Sequence, residues 1–151
     1  MNQILYPLLK NHEGLRLKAY QCSKGHWTIG WGHNIYGNRS SLTALMLKLD
    51  KHSVITEIEA EQIFKEDVAL VLFELRPFLW FYDLTITRQC AIVDMLFNLG
   101  LGKFIGFKKF IAAMEVEDYD AASREMLDSL WATQVKRRAK TLSNMIKAGN
   151  S

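Results

Sequence analysis

Two short runs with a period of two, joined by a turn, place the strongest constraint on how this chain folds. In residues 15–20 and again in residues 27–32, apolar side chains alternate with charged, polar or small ones, as expected of half-buried strands. The residues between the runs are small or polar and include Gly25, which suits a turn with one residue at positive φ. The sequence therefore predicts a β-hairpin, with Glu13 at its base.

A long helix is the clearest element after the hairpin. Thr56 and Glu59 form a capping-box pattern, and apolar residues then recur at helical spacing until Pro77 ends the helix. A helix over residues 56–76 would be about 30 Å long, which is enough to join two lobes.

The remaining elements are predicted to be helices, because no alternation of period two follows Pro77. Their predicted ranges are 3–11, 42–51, 86–99, 108–116, 119–129 and 136–148. The aromatic residues between 78 and 82 are assigned to the core. We therefore predict a mostly helical α+β fold in one domain over residues 1–151. It would comprise a hairpin lobe (1–55), a connecting helix (56–76) and a helical lobe (77–151).

Composition and charge narrow the functional class. At 151 residues, 49% of them hydrophobic, the chain can bury one good core. The net charge of +3 favours anionic polymers, but no element carries a continuous basic stripe with aromatics, so no nucleic-acid partner is predicted. Cys22 and Cys90 are too few for a disulfide framework and are read as free thiols. Residues 1–13 lack the features of a secretory signal or a membrane span.

The hairpin region carries a specific double motif. From Glu13 to Tyr20 the chain reads Glu-Gly-x-x-Leu-x-x-Tyr, and from Gly25 to His33 it reads Gly-x-x-Thr-Ile-Gly-x-Gly-His. At this spacing the motif resembles the phage-type lysozymes, glycoside hydrolase family 24. The resemblance covers nearly the whole chain. It implies a lysozyme-like fold and hydrolysis of the β-1,4 bond between N-acetylmuramic acid and N-acetylglucosamine in bacterial peptidoglycan.

The resemblance also implies catalytic roles. Glu13 would be the general acid, and Thr28 would help to hold the attacking water. Cys22 stands where the family usually has an Asp. Because this second carboxylate is missing, three functions stay open: hydrolysis, lytic transglycosylation by the muramyl 6-hydroxyl, and peptidoglycan binding without catalysis.

Other positions that match the family's motifs are expected to bind the glycan or to support the site. The expected glycan-binding residues are Gly32, Asn34, Phe97, Asn98 and Phe107. For support, the resemblance pairs Arg138 with Glu13, and Asp67 with His33.

No cofactor or metal is expected, because His12, Cys22, His26 and His33 lack the spacing of a zinc site. The predicted protein is a monomeric endolysin that acts on peptidoglycan strands and causes host cell lysis. We expect it to stay in the host cytoplasm until a separate holin releases it to the peptidoglycan in the periplasm.

Overall fold

The structure is a computed structural model that describes residues 1–150. These residues form two compact units. The N-terminal unit is Pro7–Phe73, and the C-terminal unit comprises Met1–Tyr6 together with the chain from Glu74 onward. No helix in residues 1–150 is both long enough and apolar enough to cross a membrane.

Helix α1 (Asn2–Glu13) is longer than predicted and contains Pro7. Leu5 and Leu9, one turn apart, are fully buried, and this burial offsets the hydrogen bond that proline cannot donate. The helix ends where Gly14 adopts a positive φ of 71° and its N–H bonds back to the carbonyl of Lys10 at 2.9 Å. Glu13 is therefore the last helical residue, followed at once by a sharp turn.

The predicted hairpin is confirmed, and a third strand extends it. Strands β1 (Arg16–Gln21), β2 (Trp27–Gly30) and β3 (His33–Asn34) form an antiparallel sheet in that order. Gly25 has the expected positive φ, 81°, in the turn between β1 and β2. The two residues of β3 are too few to show a period in the sequence.

Two further helices complete the N-terminal unit. Helix α2 (Leu42–Leu47) is shorter than the predicted 42–51, because Lys48 adopts a left-handed conformation and its N–H closes the helix on the carbonyls of Ala44 and Leu45. Helix α3 (Glu57–Glu74) begins at the predicted capping box. Thr56 and Glu59 each accept the other's backbone N–H, at 3.1 and 2.9 Å.

The core of the N-terminal unit lies between the sheet and these helices. Six of its buried side chains come from β1, β2, α2, α3 and the segment just before α3: Ala19, Ile29, Ala44, Ile55, Ala60 and Ile63. Strand β1 is thus packed mainly on one face, as its alternating pattern predicted, whereas Thr28, Ile29 and Gly30 of β2 are all buried.

The C-terminal unit is helical, as predicted. Its α-helices are α4 (Ile86–Leu99), α5 (Leu101–Ile105), α6 (Lys108–Glu115), α7 (Tyr119–Leu127), α8 (Leu130–Val135) and α9 (Arg137–Ala148). The short helices α5 and α8 were not predicted. Every residue from Cys90 to Phe97 is buried, so α4 forms the centre of this unit.

The aromatic run is only partly in the core, where it had been assigned as a whole. Residues Leu79–Asp83 form a 3-10 helix. With three residues per turn, Phe78 and Phe81 share a face: Phe78 packs edge-on against Phe104 and Phe81 is buried. Tyr82 lies on another face and is 54% exposed, so its assignment to the core was wrong.

Candidate active site

The Glu13 carboxylate lies directly over the backbone of Gly32, in the turn between β2 and β3. A Cβ atom added to Gly32 would lie 2.6 Å from Cδ and 2.9 Å from Cγ of Glu13, and would overlap its Oε2. Gly32 also has a positive φ of 73°. Only glycine satisfies both requirements without strain, so this position shapes the seat of the carboxylate.

Tyr20 is influenced by the charges of both Glu13 and Cys22. Burial raises the pKa of Tyr20, the negative charge of Glu13 raises it further, and Cys22 adds to the same effect, whereas Arg16 lowers it. The Arg16 guanidinium lies 4.4 Å from the centre of the Tyr20 ring. Tyr20 is therefore a neutral phenol held close to both groups. The sequence motif contained Tyr20, but no role was predicted for it.

One backbone carbonyl holds Cys22 and Thr28 in register. The oxygen of His26 accepts a hydrogen bond from the Cys22 N–H and another from the Thr28 hydroxyl, each at 2.9 Å. Thr28 is buried and pairs with Tyr20 across the β1–β2 ladder. Because the hydroxyl proton of Thr28 is donated to His26, its oxygen can only accept a hydrogen bond from a water.

The predicted contact between His33 and Asp67 is present. Nδ1 of His33 in β3 lies 2.7 Å from Oδ2 of Asp67 in α3, and both side chains are buried. The other carboxylate oxygen of Asp67, Oδ1, has no hydrogen-bond partner among residues 1–150. The contact with His33 is therefore what offsets the cost of removing this carboxylate from water. This contact anchors β3, and therefore the neighbouring Gly32, to α3. Asn34, next in the strand, is exposed.

In the C-terminal unit, two of the predicted glycan-binding residues, Asn98 and Phe107, both contact Trp131. Nε1 of Trp131 donates to Oδ1 of Asn98 at 2.8 Å, and the Phe107 ring packs edge-on against Trp131 at 6.2 Å. Because an indole N–H can only donate, this bond fixes the orientation of the Asn98 amide and leaves its NH₂ group as a donor. Phe97 is 5% exposed, so most of its ring contacts the protein.

Arg138 is buried against a carboxylate that the sequence did not single out. Its Nε donates to Oδ1 of Asp94 at 2.8 Å, and Asp94 is fully buried in α4. The signal was a single acid inside the otherwise apolar stretch Cys90–Phe97. The pairing of Arg138 with Glu13 stays a prediction.

The sequence comparisons agree on the class of protein. The family model for phage lysozyme matches residues 10–147. An endolysin of Acyrthosiphon pisum secondary endosymbiont phage 1 is 34% identical over 93% of this chain and 86% of its own length. A probable T4-type lysozyme of Dictyostelium discoideum is 29% identical over 94% of this chain and 92% of its own. An endolysin of Salmonella phage P22 is 30% identical over 82% of this chain and 77% of its own.

The small antiparallel sheet, the helical C-terminal unit and these matches define a lysozyme, an enzyme of the glycoside hydrolase class. The chain belongs to the phage lysozyme family.

Proposed function

We propose that this protein is an endolysin that hydrolyses the β-1,4 bond between N-acetylmuramic acid and N-acetylglucosamine, with Glu13 as the general acid. The observation that carries the proposal is the seat of Glu13. Its carboxylate lies over the backbone of Gly32 at the base of the hairpin, and its charge raises the pKa of the neighbouring Tyr20. A half-buried acid in a defined position is what protonation of a leaving group requires.

In the proposed first half of the reaction, Glu13 transfers its proton to the glycosidic oxygen. The bond from this oxygen to the anomeric carbon of N-acetylmuramic acid then breaks, and N-acetylglucosamine leaves as an alcohol. Positive charge then accumulates on the sugar ring, as in an oxocarbenium ion. The neutral Tyr20 adds no charge beside the acid.

In the proposed second half, a water attacks the anomeric carbon from the opposite face, which inverts its configuration, and the extra proton on the attacking oxygen then passes to the solvent. The water donates one hydrogen bond to the Thr28 oxygen, whose own proton is committed to the His26 carbonyl. The same carbonyl holds Cys22 in place through its backbone. We assign Cys22 a supporting role in positioning this water, not a covalent one, because a thioglycoside would be slow to break.

We propose that the C-terminal unit contributes sugar contacts through Asn98 and Phe107. The free NH₂ of Asn98 suits the carbonyl of an N-acetyl group, and an aromatic ring suits the apolar face of a sugar. A groove of about 390 Å³ continues from Phe107, with Lys108, Lys109, Glu125 and Asp128 along it. A surface with both charge signs fits the charged peptide stems of peptidoglycan.

The decisive test compares wild type with Glu13→Gln on purified peptidoglycan, with mass spectrometry of the products. Glutamine keeps the size and most hydrogen bonds of Glu13 but has no transferable proton, so activity should fall about 10²-fold or more. The matched control is Glu57→Gln, an exposed glutamate in the same unit, which should retain full activity.

Reducing ends in the wild-type products support hydrolysis. The proposal is overturned by 1,6-anhydro ends, which indicate transglycosylation, or by a folded Glu13→Gln variant that lyses walls as well as wild type does.

For the cellular setting, we propose that the enzyme accumulates in the host cytoplasm as a monomer and depends on a separate holin to reach the peptidoglycan.

A further inference from the structure

Helix α2 presents an apolar face to solvent. Leu45 and Met46 come three and four residues after Leu42, so the three side chains lie on one side of the helix. Their exposed fractions are 65%, 62% and 74%. Three large aliphatic side chains exposed together on one short helix are more than scattered surface residues, and such patches mark interaction sites.

This exposure is not the result of a loosely attached helix. Ala44, on the opposite side of α2, is part of the buried core. At the start of the helix, the Glu66 carboxylate from α3 accepts hydrogen bonds from the Ser41 hydroxyl and from both the N–H and the hydroxyl of Thr43, at 2.6 to 2.8 Å. The helix is therefore fixed to the N-terminal unit with its apolar face outward.

Positive charge borders the apolar face. Lys48 closes the helix and Lys51 follows in the next turn, and both are exposed. The Lys51 N–H donates to the hydroxyl of Tyr36 at 3.1 Å, which brings a 63% exposed aromatic ring to the same border. Asp50 is the sole carboxylate in residues 36–54, and its Oδ1 accepts the backbone N–H of His52 at 2.8 Å.

We propose that this α2 patch, formed by Leu42, Leu45, Met46, Lys48 and Lys51, docks the protein on the surface of an anionic phospholipid bilayer. Aliphatic side chains enter the boundary between headgroups and acyl chains, while lysines at the edge meet the anionic headgroups. A glycan would call for an aromatic platform, whereas the centre of the α2 face is aliphatic and the Tyr36 ring lies only at its border. Docking would concentrate the enzyme at the membrane that faces the wall, independently of its catalytic site.

The test is co-sedimentation of the full chain with vesicles of equal parts phosphatidylethanolamine and phosphatidylglycerol, and with vesicles of phosphatidylcholine alone. We expect wild type to bind the anionic vesicles and not to bind the neutral ones. The double variant Leu45→Ser/Met46→Ser should bind roughly a hundredfold more weakly, since each apolar side chain withdrawn from the interface contributes about a factor of ten. Lys48→Asn and Lys51→Gln should each weaken binding roughly fivefold, and asparagine tolerates the left-handed conformation at position 48.

The matched control is Val116→Ser/Leu130→Ser, which removes two similarly exposed apolar residues, 74% and 76%, from the C-terminal unit. It should bind like wild type. The proposal is overturned if wild type fails to bind, if it binds both vesicle types equally, or if the control weakens binding as much as the α2 variant. It is also overturned if sedimentation velocity shows a dimer of wild type that Leu45→Ser/Met46→Ser abolishes, because the patch would then serve a second copy. Activity on purified peptidoglycan should stay unchanged in every α2 variant, so these outcomes are independent of the proposed catalytic function.

Discussion

At the scale of single residues, the proposed chemistry depends on a few atoms that hold Glu13 and the water site. The Glu13 carboxylate packs against the backbone of Gly32. The His26 carbonyl accepts hydrogen bonds from the Cys22 N–H and from the Thr28 hydroxyl. Both contacts involve backbone atoms, so substitutions that change the backbone or its clearance test them directly.

We predict that Gly32→Ala reduces catalysis while the protein still folds. The new methyl group must displace the Glu13 carboxylate, and a misplacement of about 1 Å can cost a factor of 10² in rate. The positive φ adds a destabilisation of about 1–2 kcal/mol. Turbidity clearing of a wall suspension and thermal unfolding measure the two effects. In the control, Gly102→Ala, the helical glycine has open space around it and activity should be unchanged. Full activity in Gly32→Ala would disprove the seat assigned to Glu13.

For Cys22 we predict that Cys22→Ser is nearly as active as wild type, and that Cys22→Asp is equal or better. The contacts that hold the water site use the backbone of Cys22 and the hydroxyl of Thr28, which both variants retain. The measurement is the pH–rate profile of the three proteins on one wall substrate. A folded Ser variant with less than about a hundredth of wild-type activity would show instead that the sulfur acts as the base.

Alkylation gives an independent check on Cys22. Cys90 is fully buried and burial raises the pKa of its thiol, so alkylating reagents should modify Cys22 alone. If Cys22 only supports the water, the loss of activity in wild type reflects the added bulk, and Cys22→Ser should resist the reagent.

At the scale of elements, one carboxylate fastens α2 to α3. Burial on its own would raise the pKa of Glu66, but hydrogen bonds from Ser41, Thr43 and Gln62 lower it from 4.5 to about 2. A carboxylate whose pKa is lower in the folded state stabilises the fold at pH values above its unfolded pKa. This stabilisation is lost as the pH falls from about 4.5 towards 2.

We therefore predict that Glu66→Gln lowers the melting temperature at pH 7, and that the difference from wild type shrinks below about pH 4. Thermal unfolding followed by circular dichroism between pH 7 and pH 3 measures it. Glu57→Gln, in the same helix but exposed, should show little difference at either pH. A gap between Glu66→Gln and wild type that stayed constant with pH would mean that the ionised carboxylate is not what fastens the two helices.

At the scale of the whole molecule, the proposal concerns when the enzyme meets its substrate. We predict that its expression in a Gram-negative host does not cause prompt lysis, and that lysis follows once the inner membrane is permeabilised. Culture density before and after addition of a membrane-disrupting agent measures this, with Glu13→Gln as the inactive control. Prompt lysis without membrane damage would refute the proposed dependence on a holin.

By itself, the sequence determined the elements whose signals are local. The period of two, the capping box at Thr56 and Glu59, and Gly25 at its turn all act between near neighbours, so the hairpin and α3 were predictable. The same reasoning reached the family, because its double motif lies within residues 13–33, whereas the role of Glu13 as the acid stays a prediction.

Only the tertiary structure decided which distant residues meet. The contact of Arg138 with Asp94 joins positions 44 apart in the chain, and Glu66 reaches α2 across more than 20 residues. The same holds for β3, whose two residues pair only because β2 already lies beside them. No periodicity encodes such contacts, since packing of the whole core selects them. The sequence thus predicted the chemical groups proposed for the site, while the fold set the hydrogen bonds of Thr28, His33 and Asn98.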